Sequence, residues 1–160
     1  MEYYTTIKQE QWKDCSQKDL IFIDKAIARA YNSDFQSSLR LGACIALNKK
    51  KFYCGYNQKE RTLIYKSNHY SLHAEIHALS IFVRHEYNKY SICDKQTNII
   101  PVIYVARLMR DPNKASYGNS KPCERCQKFL FAHNVRYIKY TDIDMNGKQI
   151  LVTMEKIIGK

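Results

Sequence analysis

Apolar positions along the chain change their period several times, and each change marks an element. Leu20, Ile23, Ile27, Ala30 and Tyr31 recur at helical spacing behind Ser16, whose hydroxyl can cap a helix start. Residues 17–33 are therefore predicted as a helix covering one face of a sheet. Two strand-like runs follow, Leu41 to Leu47 and Lys51 to Asn57, joined by the polar turn Asn48-Lys49-Lys50, and they read as an antiparallel hairpin. Residues 58–72 are polar and irregular. Ile76, Ala78, Leu79, Phe82 and Val83 then mark a second helix with His73 at its start. After a mixed segment at residues 85–98, the β-branched run from Ile99 to Leu108 suits a buried central strand.

Residues 109–121 carry loop signals, and Pro122 opens a third helix holding Cys123, Cys126, Phe129, Leu130 and Ala132, with both cysteines in its first turn. Asn134 ends it. Val135 to Thr141 forms a fourth strand and Gln149 to Met154 a fifth, separated by the turn signal Asn146-Gly147. That connection is too short for a crossover helix, so the fifth strand is expected to run antiparallel to the fourth. The length of 160 residues suits one domain, residues 1–160, with residues 1–15 as an N-terminal extension.

Composition narrows the setting. No apolar run approaches the ~20 residues that cross a bilayer, and the N-terminus is polar, so a soluble cytoplasmic protein with no membrane partner is expected. The six cysteines do not read as a disulfide framework in a chain of this size. Cys15, Cys44, Cys54 and Cys93 are expected to be reduced, Cys44 and Cys54 acting as small hydrophobes in strands. With 26 Lys and Arg against 15 Asp and Glu, the net charge of +11 favours anionic partners. No Arg-rich stripe or RNP-like aromatic motif accompanies it, so nucleic acid is the less expected partner. A homo-oligomer is also expected.

The chemistry lies in His73-Ala74-Glu75 and Pro122-Cys123-Glu124-Arg125-Cys126. One imidazole and two thiolates satisfy three corners of a zinc tetrahedron and leave the fourth for water, the arrangement of a catalytic site. Cysteines three apart share one face of a helical turn, and a helix start favours their thiolate form. Glu75 is then free to move protons. Cys-x-x-Cys alone also fits a redox pair or half of a structural zinc knot, and His73 with His77 could form an i, i+4 metal pair. The peptidase motif His-Glu-x-x-His is excluded by Ala74.

On these motifs the chain resembles the cytidine and deoxycytidylate deaminase superfamily over residues 17–154. Three blocks carry the likeness: Leu41-Gly42-Ala43 with Gly55-Tyr56-Asn57, then His73-Ala74-Glu75, then Lys121 to Cys126 leading to Val135 through Thr141. The resemblance implies an α/β class, a three-layer α/β/α sandwich around a five-stranded mixed sheet, with Zn²⁺ held by His73, Cys123 and Cys126. It also implies that Asn57 holds a sugar, the Ala74 backbone faces the base and Glu75 shuttles protons. His at position 73 is similar to the deoxycytidylate, tRNA-editing and polynucleotide branches. The chain lacks the Val-Met between cysteines of tRNA adenosine deaminases and the Ser-Trp-Ser segment of polynucleotide cytidine deaminases. The 46 residues between Glu75 and Pro122 suggest an extra element at 85–98.

Hydrolytic deamination of cytosine in a mononucleotide such as dCMP is the expected activity. A nucleic-acid editing deaminase is the alternative enzyme, and a non-catalytic zinc-stabilised nucleic-acid-binding module is the alternative from another class. Lys121 is the first candidate for a phosphate contact, with Lys66, Arg110 and Lys114 in support, and Tyr104 or Tyr117 for stacking on a base.

Overall fold

The apolar runs become strands and helices in the order the periodicity suggests, in a computed structural model that describes residues 2–35, 39–59, 63–64, 67–68, 71–93, 100–109 and 117–157. The main elements are β1 (Tyr4–Gln11), α1 (Gln17–Ala30), β2 (Leu41–Ala46), β3 (Phe52–Tyr56), α2 (Ala74–Cys93), β4 (Val102–Leu108), α3 (Glu124–Ala132), β5 (Tyr137–Ile143) and β6 (Gln149–Lys156). The strands lie in the order β1-β6-β5-β4-β2-β3. β4 and β5 pair in parallel, with α3 in the connection between them, and the other neighbours along this path are antiparallel. Tyr117–Gly118 adds a short strand at the end of β4.

Side-chain alternation along each strand divides the core into two layers. Ala43, Ile45, Ile103 and Val105 point one way and pack with Ala74, Ala78, Leu79 and Phe82 of α2 and Leu130 of α3. Cys44, Ala46, Tyr104, Ala106 and Leu108 point the other way and meet Phe22, Ile23, Ala26, Ile27 and Ala30 of α1. One helix therefore covers one face of the sheet and two cover the other, which makes the three-layer α/β/α arrangement. α1 begins as expected, with Asp19 N–H donating to Ser16 Oγ at 3.1 Å.

The five expected strands are present, and the sheet reaches seven with Tyr117–Gly118 and one further strand at its edge. The N-terminal segment treated as an extension is β1, which pairs antiparallel with β6 and is pinned by Tyr4 Oη donating to the Val135 carbonyl at 2.6 Å. Most of its side chains are exposed, so backbone bonding to β6 holds it in place more than burial does. The fifth predicted strand is β6, antiparallel to β5 across a turn in which Gly147 adopts φ 77°.

Three other stretches differ from the sequence reading. Residues 85–93 form no separate element, because α2 runs unbroken to Cys93; residues 94–98 lie outside the described set. The irregular segment 58–72 contains two-residue ribbons, Gln58–Lys59 with Ser71–Leu72 and Leu63–Ile64 with Ser67–Asn68. The third helix starts at Glu124, so Cys123 caps it and only Cys126 lies in its first turn.

Gly55 brings β3 and α2 into close approach. A Cβ there would fall 2.5 Å from the Ala78 amide nitrogen and 2.8 Å from His77 Cβ, so any larger residue would push α2 off the sheet.

Candidate metal centre and active site

Two helix starts converge to build the site. The His77 amide donates to the His73 carbonyl at 2.9 Å, which makes His73 the cap of α2, and Cys123 caps α3 in the same way, with the Gln127 amide donating to its carbonyl at 2.9 Å. Leu72 and Ile76 pack against Cys126 and Phe129, holding the two starts together. Both ends present unpaired backbone N–H groups and the positive end of the helix dipole, a setting that favours thiolate.

His73, Cys123 and Cys126 offer one donor atom each, all within 4.8 Å of one another. His73 Nδ1 lies 3.3 Å from Cys126 Sγ and 3.7 Å from Cys123 Sγ. Tetrahedral zinc with bonds of ~2.0–2.1 Å to nitrogen and ~2.3 Å to sulfur needs N to S separations of roughly 3.6 Å, so the cluster fits that ion. Hydrogen bonds from Cys126 and His73 hold the Cys123 thiol down at about 3. The same bond to Cys123, together with burial, pushes Cys126 up. His73 is raised, chiefly by its bond to Cys123 and, after an opposing effect of burial, by the Glu75 charge.

Glu75 stands in the first turn of α2 and is only 4% exposed. Burial raises its carboxyl above the usual range, while hydrogen bonds from its own amide and from Cys126 oppose that rise. Uniform helical spacing would turn it away from His73. Because the helix begins at Ala74, His73 lies outside the regular turn, and the Glu75 carboxyl comes back to the cysteine side.

His77 is not part of the cluster. Its Nδ1 accepts from the Tyr56 amide at 3.1 Å and its ring meets the Tyr56 ring edge-on, which ties α2 to β3. Asn57 is 8% exposed and its amide is engaged with backbone: Oδ1 accepts from Leu41 N–H at 2.8 Å and Nδ2 donates to the Leu39 carbonyl at 2.6 Å. One amide hydrogen remains for another partner. Ala74 is wholly enclosed in the α2 layer.

Lys121 is exposed, just ahead of Cys123, and lines a groove of about 550 Å³ with Glu2, Tyr4, Thr5, Thr6, Glu124, Gln127 and Met154. Lys66, Arg110 and Lys114 fall outside the described residues. Neither proposed stacking tyrosine is at the centre. Tyr104 is buried under α1, donating to Asp19 Oδ1 at 2.7 Å, because its place in β4 alternates with Ile103 and Val105. Tyr117 stacks on Trp12 with ring centroids 5.3 Å apart.

Sequence reasoning passed over Ser120, which anchors the loop carrying the cysteines. β5 pairs with β4 only from Tyr137 to Tyr140; beyond that the strands part and Ser120 enters between them. Its hydroxyl donates to the Val105 carbonyl at 2.8 Å and accepts from the Thr141 amide at 2.9 Å. Thr141 Oγ1 in turn donates to the Gly118 carbonyl at 2.8 Å. A serine two residues before Pro122 is too common a loop residue to have signalled this.

A family profile described as the cytidine and deoxycytidylate deaminase zinc-binding region matches residues 16–141. No curated protein sequence matches the chain. Among solved structures, dCMP deaminase from the cyanophage S-TIM5, in apo form, superposes with a TM-score of 0.52 at 14% identity, covering 80% of this chain and 85% of that one. Cytidine deaminase from Burkholderia pseudomallei gives 0.50 at 17% identity, covering 89% of this chain and 93% of the other. At such identities these likenesses concern the fold. The profile spans both helix starts and all three donors, and the chain belongs to the cytidine and deoxycytidylate deaminase zinc-binding family.

Proposed function

We propose that the protein catalyses hydrolytic deamination of cytosine in a small nucleotide, dCMP or a related cytidine nucleotide. The observation that carries this reading is the buried Glu75 carboxyl beside the His73, Cys123 and Cys126 donors. A zinc module serving only structure has no use for a carboxylic acid with a raised pKa at an incomplete ligand set. Zinc held by the three residues would lower the pKa of a water molecule so that it adds to C4 of the base at neutral pH. Glu75 accepts the proton given up by that water and delivers it to N3 of the ring, then takes the proton of the new C4 hydroxyl and delivers it to the amino group, which leaves as ammonia. A carboxyl whose pKa is raised toward neutrality is suited to both directions of that transfer.

Asn57, with one amide hydrogen to spare, is proposed to contact the sugar, and the Ala74 backbone the base. Lys121 is proposed to meet the phosphate, in keeping with the net positive charge. The test is ammonia release by the zinc-loaded protein on dCMP, CMP, deoxycytidine, cytidine and a short single-stranded oligonucleotide at two salt concentrations. The nucleotides should have the highest kcat/KM. A preference for the oligonucleotide with steep salt dependence would point to nucleic-acid editing, and no turnover on any substrate would overturn the enzymatic reading. Glu75→Gln should keep zinc and fold while kcat falls by about 10²–10⁴; Cys123→Ser should lose the metal.

A further inference from the structure

Cys44 and Cys54 lie directly opposite each other in the β2–β3 ladder, and their sulfurs are 2.7 Å apart. That is closer than two thiols sit in ordinary van der Waals contact. Opposed residues of an antiparallel pair have Cα atoms about 4.5–5.5 Å apart, inside the roughly 4.4–6.8 Å that a disulfide spans. Strand register therefore supplies the backbone geometry, and side-chain rotation alone can close the remaining gap. The two sulfurs also differ in surroundings: Cys44 is sealed beneath α1, whereas Cys54 is half-buried.

We propose that Cys44 and Cys54 form a reversible disulfide on exposure to peroxide, a redox modification site distinct from the two cysteines of the metal centre. Cys54 is the attacking group. The hydrogen bond it shares with Cys44 lowers its thiol pKa, burial opposes this, and the charges of Arg29 and Lys25 on α1 lower it further. The Cys54 thiolate attacks one peroxide oxygen; the O–O bond breaks, leaving a sulfenic acid and, after protonation, one water. Cys44 sulfur then attacks Cys54 sulfur, the S–O bond breaks, and the Cys44 proton leaves with the hydroxyl as a second water. Two thiols lose two electrons, and one hydrogen peroxide is reduced to two waters.

The bond would staple the hairpin at whose end Asn57 grips the backbone of Leu39 and Leu41. The test treats the zinc-loaded full-length protein with about one equivalent of hydrogen peroxide, alkylates the remaining thiols after denaturation and maps the peptides by mass spectrometry. The expected result is a Cys44–Cys54 linked peptide that a thiol reductant removes, with Tm higher by roughly 5–10 °C in the oxidised form, as closure of a short loop gives. Cys54→Ser should abolish both the link and the Tm rise. Recovery of Cys44 as an alkylated thiol after Cys54 has oxidised, or links from either residue to another cysteine, would overturn the proposal. The wild-type map decides this even if the variant does not fold.

Discussion

Ser120→Ala isolates the contribution of one hydroxyl to the placement of the metal centre. The residue is 1% exposed, and its oxygen is joined to the Thr141 amide and the Val105 carbonyl at 2.9 and 2.8 Å. Removing it leaves a buried N–H and a buried C=O without that partner, at a site where β4 and β5 no longer pair and cannot recapture them. A stranded buried group costs about 1–3 kcal/mol. The carbonyl is the cheaper of the two, so about 3 kcal/mol in total is expected, or a fall in Tm of roughly 6–12 °C for a chain of this size. Because Ser120 stands two residues before Pro122 and three before Cys123, the loosened loop should also weaken zinc binding. The assay pairs thermal unfolding of the protein with competition against a zinc chelator. A variant with unchanged zinc affinity and a Tm within about 2 °C of wild type would refute the anchoring role.

Gly55→Ala should unseat α2, since the new methyl meets the Ala78 backbone and His77; a loss of about 3 kcal/mol in urea unfolding is expected, with a fall in kcat/KM because α2 carries His73 and Glu75. Asp19 is held below the usual carboxylate range: burial raises it, but bonds from Lys139 and Tyr104, at 2.7 Å each, outweigh that effect. Its contribution is therefore present above about pH 4 and is lost as pH falls through the lower folded-state value, so Asp19→Asn should flatten the acid limb of a stability-versus-pH curve. The same variant should cost about 2–4 kcal/mol at pH 7 by leaving Lys139, only 18% exposed, without its charge partner. An acid limb identical to wild type would rule out Asp19 as its source. Chelation of the zinc-loaded protein should abolish ammonia release, and added zinc should restore it; turnover persisting without metal would contradict the mechanism.

The group of His73, Cys123 and Cys126 that could hold a metal was legible in the order of residues because metal chemistry demands particular side chains at short spacing. His73 with Glu75 and Cys123 with Cys126 each fall within one turn of a helix start, and local sequence sets helix starts. The antiparallel final strand was legible for a similar reason, since Asn146-Gly147 leaves no room for a crossover. β1 was not legible: apart from the buried Tyr4 its side chains are mostly polar and exposed, and it exists because β6 offers a backbone edge about 140–150 residues away. Tyr104 could be read as alternating with Ile103 and Val105, but only the packing of α1 against one face and α2 and α3 against the other decided that it lies away from the metal centre. Cys44 could be read as a buried strand residue, yet its contact with Cys54 depends on hairpin register, which a single slip would destroy. Local periodicity and ligand chemistry act over a few residues and so are written in order along the chain; register, layer assignment and the Ser120 anchor arise where distant segments meet, and these the tertiary structure alone decided.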